Sequence, residues 1–121
     1  MSLSTNSVTF ENYSGVEDLE MLDAVNITVN SSLAYSLNVC MPTTISNSDG
    51  SSTINFDIFN IKESTEAVYG KFTDNTNKVV LKTDCSKGNN INHKIDLKLD
   101  SNVAYKADIY KTVIRLEAQQ K

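Results

Sequence analysis

The chain has 121 residues, of which 40% are hydrophobic and 21% are charged, and its formal net charge is −4. This composition is typical of a globular protein and excludes wholesale disorder, and the length predicts a single domain over residues 1–121. The acidic balance argues against nucleic acid as a partner, because proteins that bind it usually present a basic face.

The first 22 residues are predicted to form an N-terminal edge strand or arm, ahead of a core at residues 23–121. The stretch SVTFENY would be the strand, with Val8 and Phe10 on one face. The stretch SGVEDLEMLDA then predicts a helical turn after a capping box at Ser14 and Glu17. Three apolar residues stand at helical spacing in it: Val16, Leu19 and Leu22.

From residue 24 onward, apolar and polar residues alternate with a period of two, which predicts strands with one buried face and one wet face. The alternating segments are AVNITVN, LAYSLNVCM, TINFDIFNI, VYGKF, KVVLKTDC, INHKIDLKL and the final YKADIYKTVIRLEAQQK. In the last of these, the face predicted to be buried carries Tyr110, Thr112, Ile114, Leu116 and Ala118.

Short polar turns such as NSDGSS, SKGNN and DSN separate these segments, and their Gly, Asn, Asp and Ser residues suit tight turns. Short strands joined in this way predict an all-β fold, an antiparallel β-sandwich of about seven to eight strands. A barrel is the alternative architecture.

Phe59 and Ile61 break the alternation, because they have the opposite parity to Ile54, Phe56 and Ile58. Either a β-bulge reverses the parity there, or an apolar spot is offered to a partner. Phe59 and Ile61, together with Val8 and Phe10 of the N-terminal strand, are therefore the candidate partner-contact residues.

Two cysteines, Cys40 and Cys85, are far apart in the sequence and have no CxxC spacing, so they predict neither a zinc site nor a redox motif. A Cys40–Cys85 disulfide is one reading, which needs an oxidising compartment and adjacent Cα atoms. Two separate, reduced cysteines are the other reading.

No catalytic, cofactor or metal site is predicted. His93 is the sole histidine, so the usual zinc ligand set is missing, and we expect a structural histidine at the rim of the fold. No Gly-x-Ser-x-Gly turn occurs, and the sequence predicts no enzyme. A hydrolase would require a deep pocket that joins His93 to an acid and a nucleophile.

Carbohydrate binding is an alternative function that would need exposed aromatic rings. The chain has no tryptophan, and the candidate rings near strand ends are Tyr69, Tyr105, Tyr110 and Phe59. A ligand-binding module of this kind would present coplanar tyrosines beside a groove.

Two stretches, VNITVNSSLAYSLNV and YKADIYKTVIRLEAQ, resemble the opening strand pair and the closing strand of immunoglobulin-like domains in bacterial surface and secreted proteins, including fimbrial-subunit and spore-coat types. The resemblance implies an extracellular or cell-surface structural module that acts in adhesion or assembly, by self-association or with a protein partner. A cytosolic or phage-type structural protein is the alternative, and it predicts free thiols at Cys40 and Cys85. The opening MSLSTNSVTF lacks the features of a signal peptide, so no leader is expected in this sequence, and no apolar run is long enough to predict a transmembrane segment.

Overall fold

A computed structural model describes residues 2–40, 45–47, 49–71 and 78–120, and gives their side chains apart from those of residues 2–6, 12 and 78. The described residues form an almost entirely β structure with antiparallel pairing, as the alternation predicts. The strands are β1 (Ser2–Tyr13), β2 (Leu19–Ser31), β3 (Tyr35–Cys40), β4 (Ile45–Asn47), β5 (Thr53–Ile54), β6 (Phe59–Glu63), β7 (Lys78–Cys85), β8 (Gly88–Leu99) and β9 (Asp108–Gln120).

The strands form two sheets around a shared apolar core. A curled six-stranded sheet has the order β5-β4-β9-β3-β7 with β1 also paired to β9, and a three-stranded sheet has the order β2-β8-β6. β1 pairs with one edge of β9 along most of its length. β3 and β4 pair with different parts of the opposite edge. The strand β9 is therefore the centre of the larger sheet.

Strict alternation in the sequence places the core correctly in the longest strands. All five apolar-parity residues of β9 are buried, and so are Ile95, Leu97 and Leu99 of β8. Each fully buried Leu or Ile side chain among them contributes about 1.5–3 kcal/mol through removal of apolar surface from water. The alternating pattern is therefore the main source of stability in both sheets.

The predicted helical turn after residue 13 is wrong. Residues 14–18 form a bend in which the Ser14 hydroxyl accepts a hydrogen bond from the Val16 amide, and β2 begins at Leu19. Val16 and Leu22 are 67% and 66% exposed, so no apolar helical face is buried here. Gly15 takes φ +79° at the bend, and a Cβ there would lie 2.9 Å from the Tyr105 carbonyl oxygen.

The parity change near residue 58 has a cause other than a bulge. A 3-10 helix, Phe56–Ile58, carries the chain from β5 in the larger sheet to β6 in the smaller one. The parity is set anew on the second sheet, so Phe59 and Ile61 face the core and have no exposed surface.

The segment VYGKF does not form the predicted strand in its described part. Gly70 makes only an isolated bridge to Ile61, and Val68 is 79% exposed. Phe72 lies outside the described residues, as does Met41 of the LAYSLNVCM segment.

Candidate functional site

A buried polar cluster lies between the two sheets at one end of the core. Its centre is His93, on the inward face of β8, which is only 5% exposed. The His93 Nε2 atom lies 2.6 Å from the hydroxyl of Tyr35, the first residue of β3. The two rings meet edge to face, with centroids 5.9 Å apart and planes at 86°. Cys85, at the end of β7, is paired with Tyr35 across the sheet.

Protonation in this cluster follows from burial. Burial raises the pKa of the Tyr35 hydroxyl to about 12, raises the pKa of the Cys85 thiol and lowers the pKa of His93. All three groups are therefore neutral near pH 7. A phenol is a stronger acid than a neutral imidazole N–H, so we expect Tyr35 to donate to Nε2, which would place the ring proton of His93 on Nδ1.

A buried ion pair lies beside these groups. Glu63, the last residue of β6, is 2% exposed, and its Oε2 accepts a hydrogen bond of 3.2 Å from the Lys82 ammonium. The Thr65 hydroxyl and amide also donate to the Glu63 carboxylate. Burial alone would raise the pKa of Glu63, but the hydrogen bonds from Thr65 and the charge of Lys82 outweigh it, so the pKa is lowered. Glu63 is therefore an anion at neutral pH.

An open pocket of about 330 Å³ leads from the surface to this cluster. Tyr35, Cys85 and His93 lie at its inner end, and Ile91 supplies an apolar wall. Four polar residues of β7 and the following turn line the rest: Lys82, Asp84, Ser86 and Lys87. The sequence predicts His93 at the rim of the fold but does not predict these neighbours. The one signal for the cluster is a histidine at an apolar-parity position of β8.

The disulfide reading is corrected by the register of β3 and β7. Cys85 lies opposite Tyr35 at one end of the ladder, and Cys40 lies opposite Lys78 at the other end. Five residues of β3 separate these positions, or roughly 16 Å at about 3.3 Å per residue. A disulfide needs Cα atoms within about 7 Å, so these two thiols cannot bond to each other, and both are free.

We therefore expect two titratable thiols per chain in denaturant without a reductant. In the folded protein Cys85 should react far more slowly than Cys40, because Cys85 is buried and burial raises its thiol pKa, whereas Cys40 is partly exposed. Titration with a chromogenic disulfide reagent, with and without denaturant, measures both. Absence of thiols in the denatured chain would contradict this register.

The four candidate partner-contact residues are buried in the chain's own core. Val8 is 4% exposed, and Phe10, Phe59 and Ile61 have no exposed surface. The Phe10 and Phe59 rings pack edge to face, with centroids 6.2 Å apart. These side chains join β1 to β6 across the two sheets, so their prediction as an accessible contact surface is wrong.

An exposed strand edge is present instead in β1. This twelve-residue strand pairs with β9, and it has no second neighbouring strand among the described residues. Residues 2–10 contain no charged residue and no proline. Edge strands usually carry such residues, because they block pairing with another chain.

The candidate carbohydrate platform does not form among the described residues. Tyr110 and Phe59 have no exposed surface. Tyr69 lies on the outer face of the smaller sheet, donates a hydrogen bond to Glu20, and is covered by two lysine ammonium groups. The Tyr105 hydroxyl accepts a hydrogen bond from the Asn55 amide.

Comparison of the chain with protein-family models, with curated proteins and with solved structures gave no match in any of the three. Within the described ranges, no helix has the length and apolar character needed to cross a membrane. The same residues contain no group of three His, Cys, Asp or Glu side chains placed to hold a metal ion.

Proposed function

We propose that this chain is a non-catalytic structural module of a bacterial cell-surface or secreted protein, with an immunoglobulin-like sandwich. It assembles with further copies of itself by strand addition at β1. The observation that carries the proposal is the edge of β1: twelve residues, paired on one side within the described chain, and uncharged over residues 2–10. In strand addition the main-chain hydrogen bonds supply affinity, and alternate side chains fix the register.

The non-catalytic part of the proposal is supported by the chemistry of the buried cluster. Activation of a thiol nucleophile needs a base within hydrogen-bond reach and a lowered thiol pKa. Burial raises the pKa of Cys85, and the Tyr35 hydroxyl occupies the Nε2 atom of His93. The arrangement therefore favours a neutral, protonated thiol over a nucleophile.

The alternative of a cytosolic or phage-type structural protein is favoured by one observation, the two cysteines that cannot bond to each other. Disulfides form in oxidising compartments, and reduced thiols are the rule in the cytosol. The mechanism of assembly through β1 is the same in either location.

Two lysines on the edge strand should weaken the assembly. Ser7 and Thr9 are exposed, so Ser7→Lys with Thr9→Lys leaves the core intact and places positive charge on the pairing edge. We expect the wild type to form dimers or larger species, and the variant to associate at least about tenfold more weakly. Size-exclusion chromatography with light scattering over a range of concentrations measures this.

The matched control is Asn92→Lys, which adds a lysine to an exposed position of β8, the central strand of the smaller sheet. It should associate as the wild type does. A wild type that stays monomeric at every concentration would overturn self-assembly through β1, and equal loss in the control would show a general charge effect.

A further inference from the structure

We propose that the pocket between β3, β7 and β8 binds a small organic carboxylate, with His93 Nδ1–H as the donor at its inner end and lysine ammonium groups nearer its mouth. The inference is independent of assembly through β1. It rests on the geometry of one buried histidine and on the groups that converge with it.

The first step is the free nitrogen of His93. Its Nε2 is occupied by Tyr35, and no described residue hydrogen-bonds to its Nδ1. Among the described residues, the one fully occluded side-chain polar atom without a partner is Asn38 Oδ1. His93 Nδ1 therefore reaches open space, and the pocket is the space that His93 lines. An N–H that borders a small cavity favours a ligand that accepts a hydrogen bond.

The second step is the charge of the pocket. The Lys82 ammonium donates to Glu63 Oε2 and Thr65 Oγ1, which leaves a third N–H available. Lys87 is exposed and adds a second cation. Asp84 also lines the pocket and Glu63 is paired with Lys82, so these two anions balance the two lysine charges. A carboxylate is favoured over an amine because the N–H groups of His93, Lys82 and Lys87 are all donors, and an ammonium ligand could accept from none of them.

The third step is size and polarity. A volume of about 330 Å³ is at the low end of the ~300–1,000 Å³ found for small-molecule pockets. Ile91, which is partly exposed, offers apolar surface to a short hydrocarbon tail. The volume and the apolar wall are therefore compatible with a short-chain carboxylate.

The test uses the fact that His93 is the only histidine in the chain. Protein labelled with ¹⁵N-histidine gives the ring signals of one residue, and these report which nitrogen carries the proton. We expect the Nδ1–H tautomer in the free protein. Titration with butyrate should shift the Nδ1 signal to saturation, whereas butyramide and butylamine should leave it unchanged.

Two variants separate the pocket from general charge effects. Lys87→Met removes an exposed lysine of the pocket, and we expect butyrate to bind about fivefold more weakly. Lys111→Met makes the same change of charge on the outer face of β9 and should bind as the wild type does. Because both lysines are exposed, both variants should fold.

Each other outcome overturns the proposal. An Nε2–H tautomer would remove the donor from the pocket. Absence of a saturable shift with butyrate would show that the pocket does not bind a carboxylate. An equal response to butyramide would show that the negative charge is not recognised. Equal weakening by the Lys87 and Lys111 variants would place the effect outside the pocket.

Discussion

Replacement of Phe59 by alanine should lower the free energy of unfolding by about 3–5 kcal/mol, the cost of removing a fully buried phenylalanine. Phe59 has no exposed surface and packs edge to face on both Phe10 and Phe56. The loss includes the apolar contacts of three rings, and it leaves a cavity between β1 and β6. Urea denaturation at neutral pH measures the change.

The matched control is Val103→Ala at a position that is 81% exposed, where we expect a change within about 0.5 kcal/mol. If Phe59→Ala left the folding stability unchanged and weakened only self-association, Phe59 would be a partner contact, and its burial in the core would be contradicted. If the alanine variant did not fold, Phe59→Leu would provide a smaller loss of the same sign.

Removal of Lys82 should produce the second large effect, a destabilisation of about 2 kcal/mol at pH 7 in Lys82→Met. Loss of one partner from a buried ion pair costs about 3–5 kcal/mol, and we expect less here because the Lys82 side chain is 32% exposed. The cost arises from Glu63, which stays buried and loses its cation. Urea denaturation of the variant and wild type between about pH 7 and about pH 3 measures it.

The effect should depend on pH with a definite sign. The lowered pKa of Glu63 in the folded wild type stabilises the fold at neutral pH, and this contribution is lost as the pH falls through the folded-state value. The difference in the free energy of unfolding between wild type and Lys82→Met should therefore narrow below about pH 4.3, the ordinary carboxyl pKa. Lys94→Met, at an exposed position of β8, is the matched control. A gap that stays constant with pH would show that Lys82 acts through its methylene groups instead.

Sequence alternation was sufficient to predict the strands that keep one face buried along their length. In β8 and β9 one face is mostly apolar, and the structure buries Ile95, Leu97 and Leu99 of β8 and all five predicted residues of β9. It failed where the chain changes sheets or bends. At residues 56–58 a 3-10 helix resets the parity, and at Asp23 a positive φ of 53° accompanies a register shift in β2. Such changes depend on contacts between sheets, which a local pattern does not contain.

The pocket was harder to predict than the strands for the same reason. Tyr35, Cys85 and His93 lie on three strands, and each fits the apolar face of its own strand. Only the packing of β8 against β3 brings the tyrosine hydroxyl to the imidazole. The burial of Glu63 could not be predicted for a different reason. Its side chain faces inward because the 3-10 helix changes which residues of β6 face the core.

The central position of β9 has a consequence for the order of folding. This strand is the last in the printed sequence, yet β1, β3 and β4 all pair with it. During synthesis, these earlier strands leave the ribosome before β9 does. The edges that pair with β9 therefore stay exposed until β9 has been made, and only then can the larger sheet form. Contacts between residues so distant in sequence also slow folding. Because residues 2–10 carry no charge, β1 would be the segment most exposed to pairing with another nascent chain, so chaperone binding should be strongest before β9 emerges.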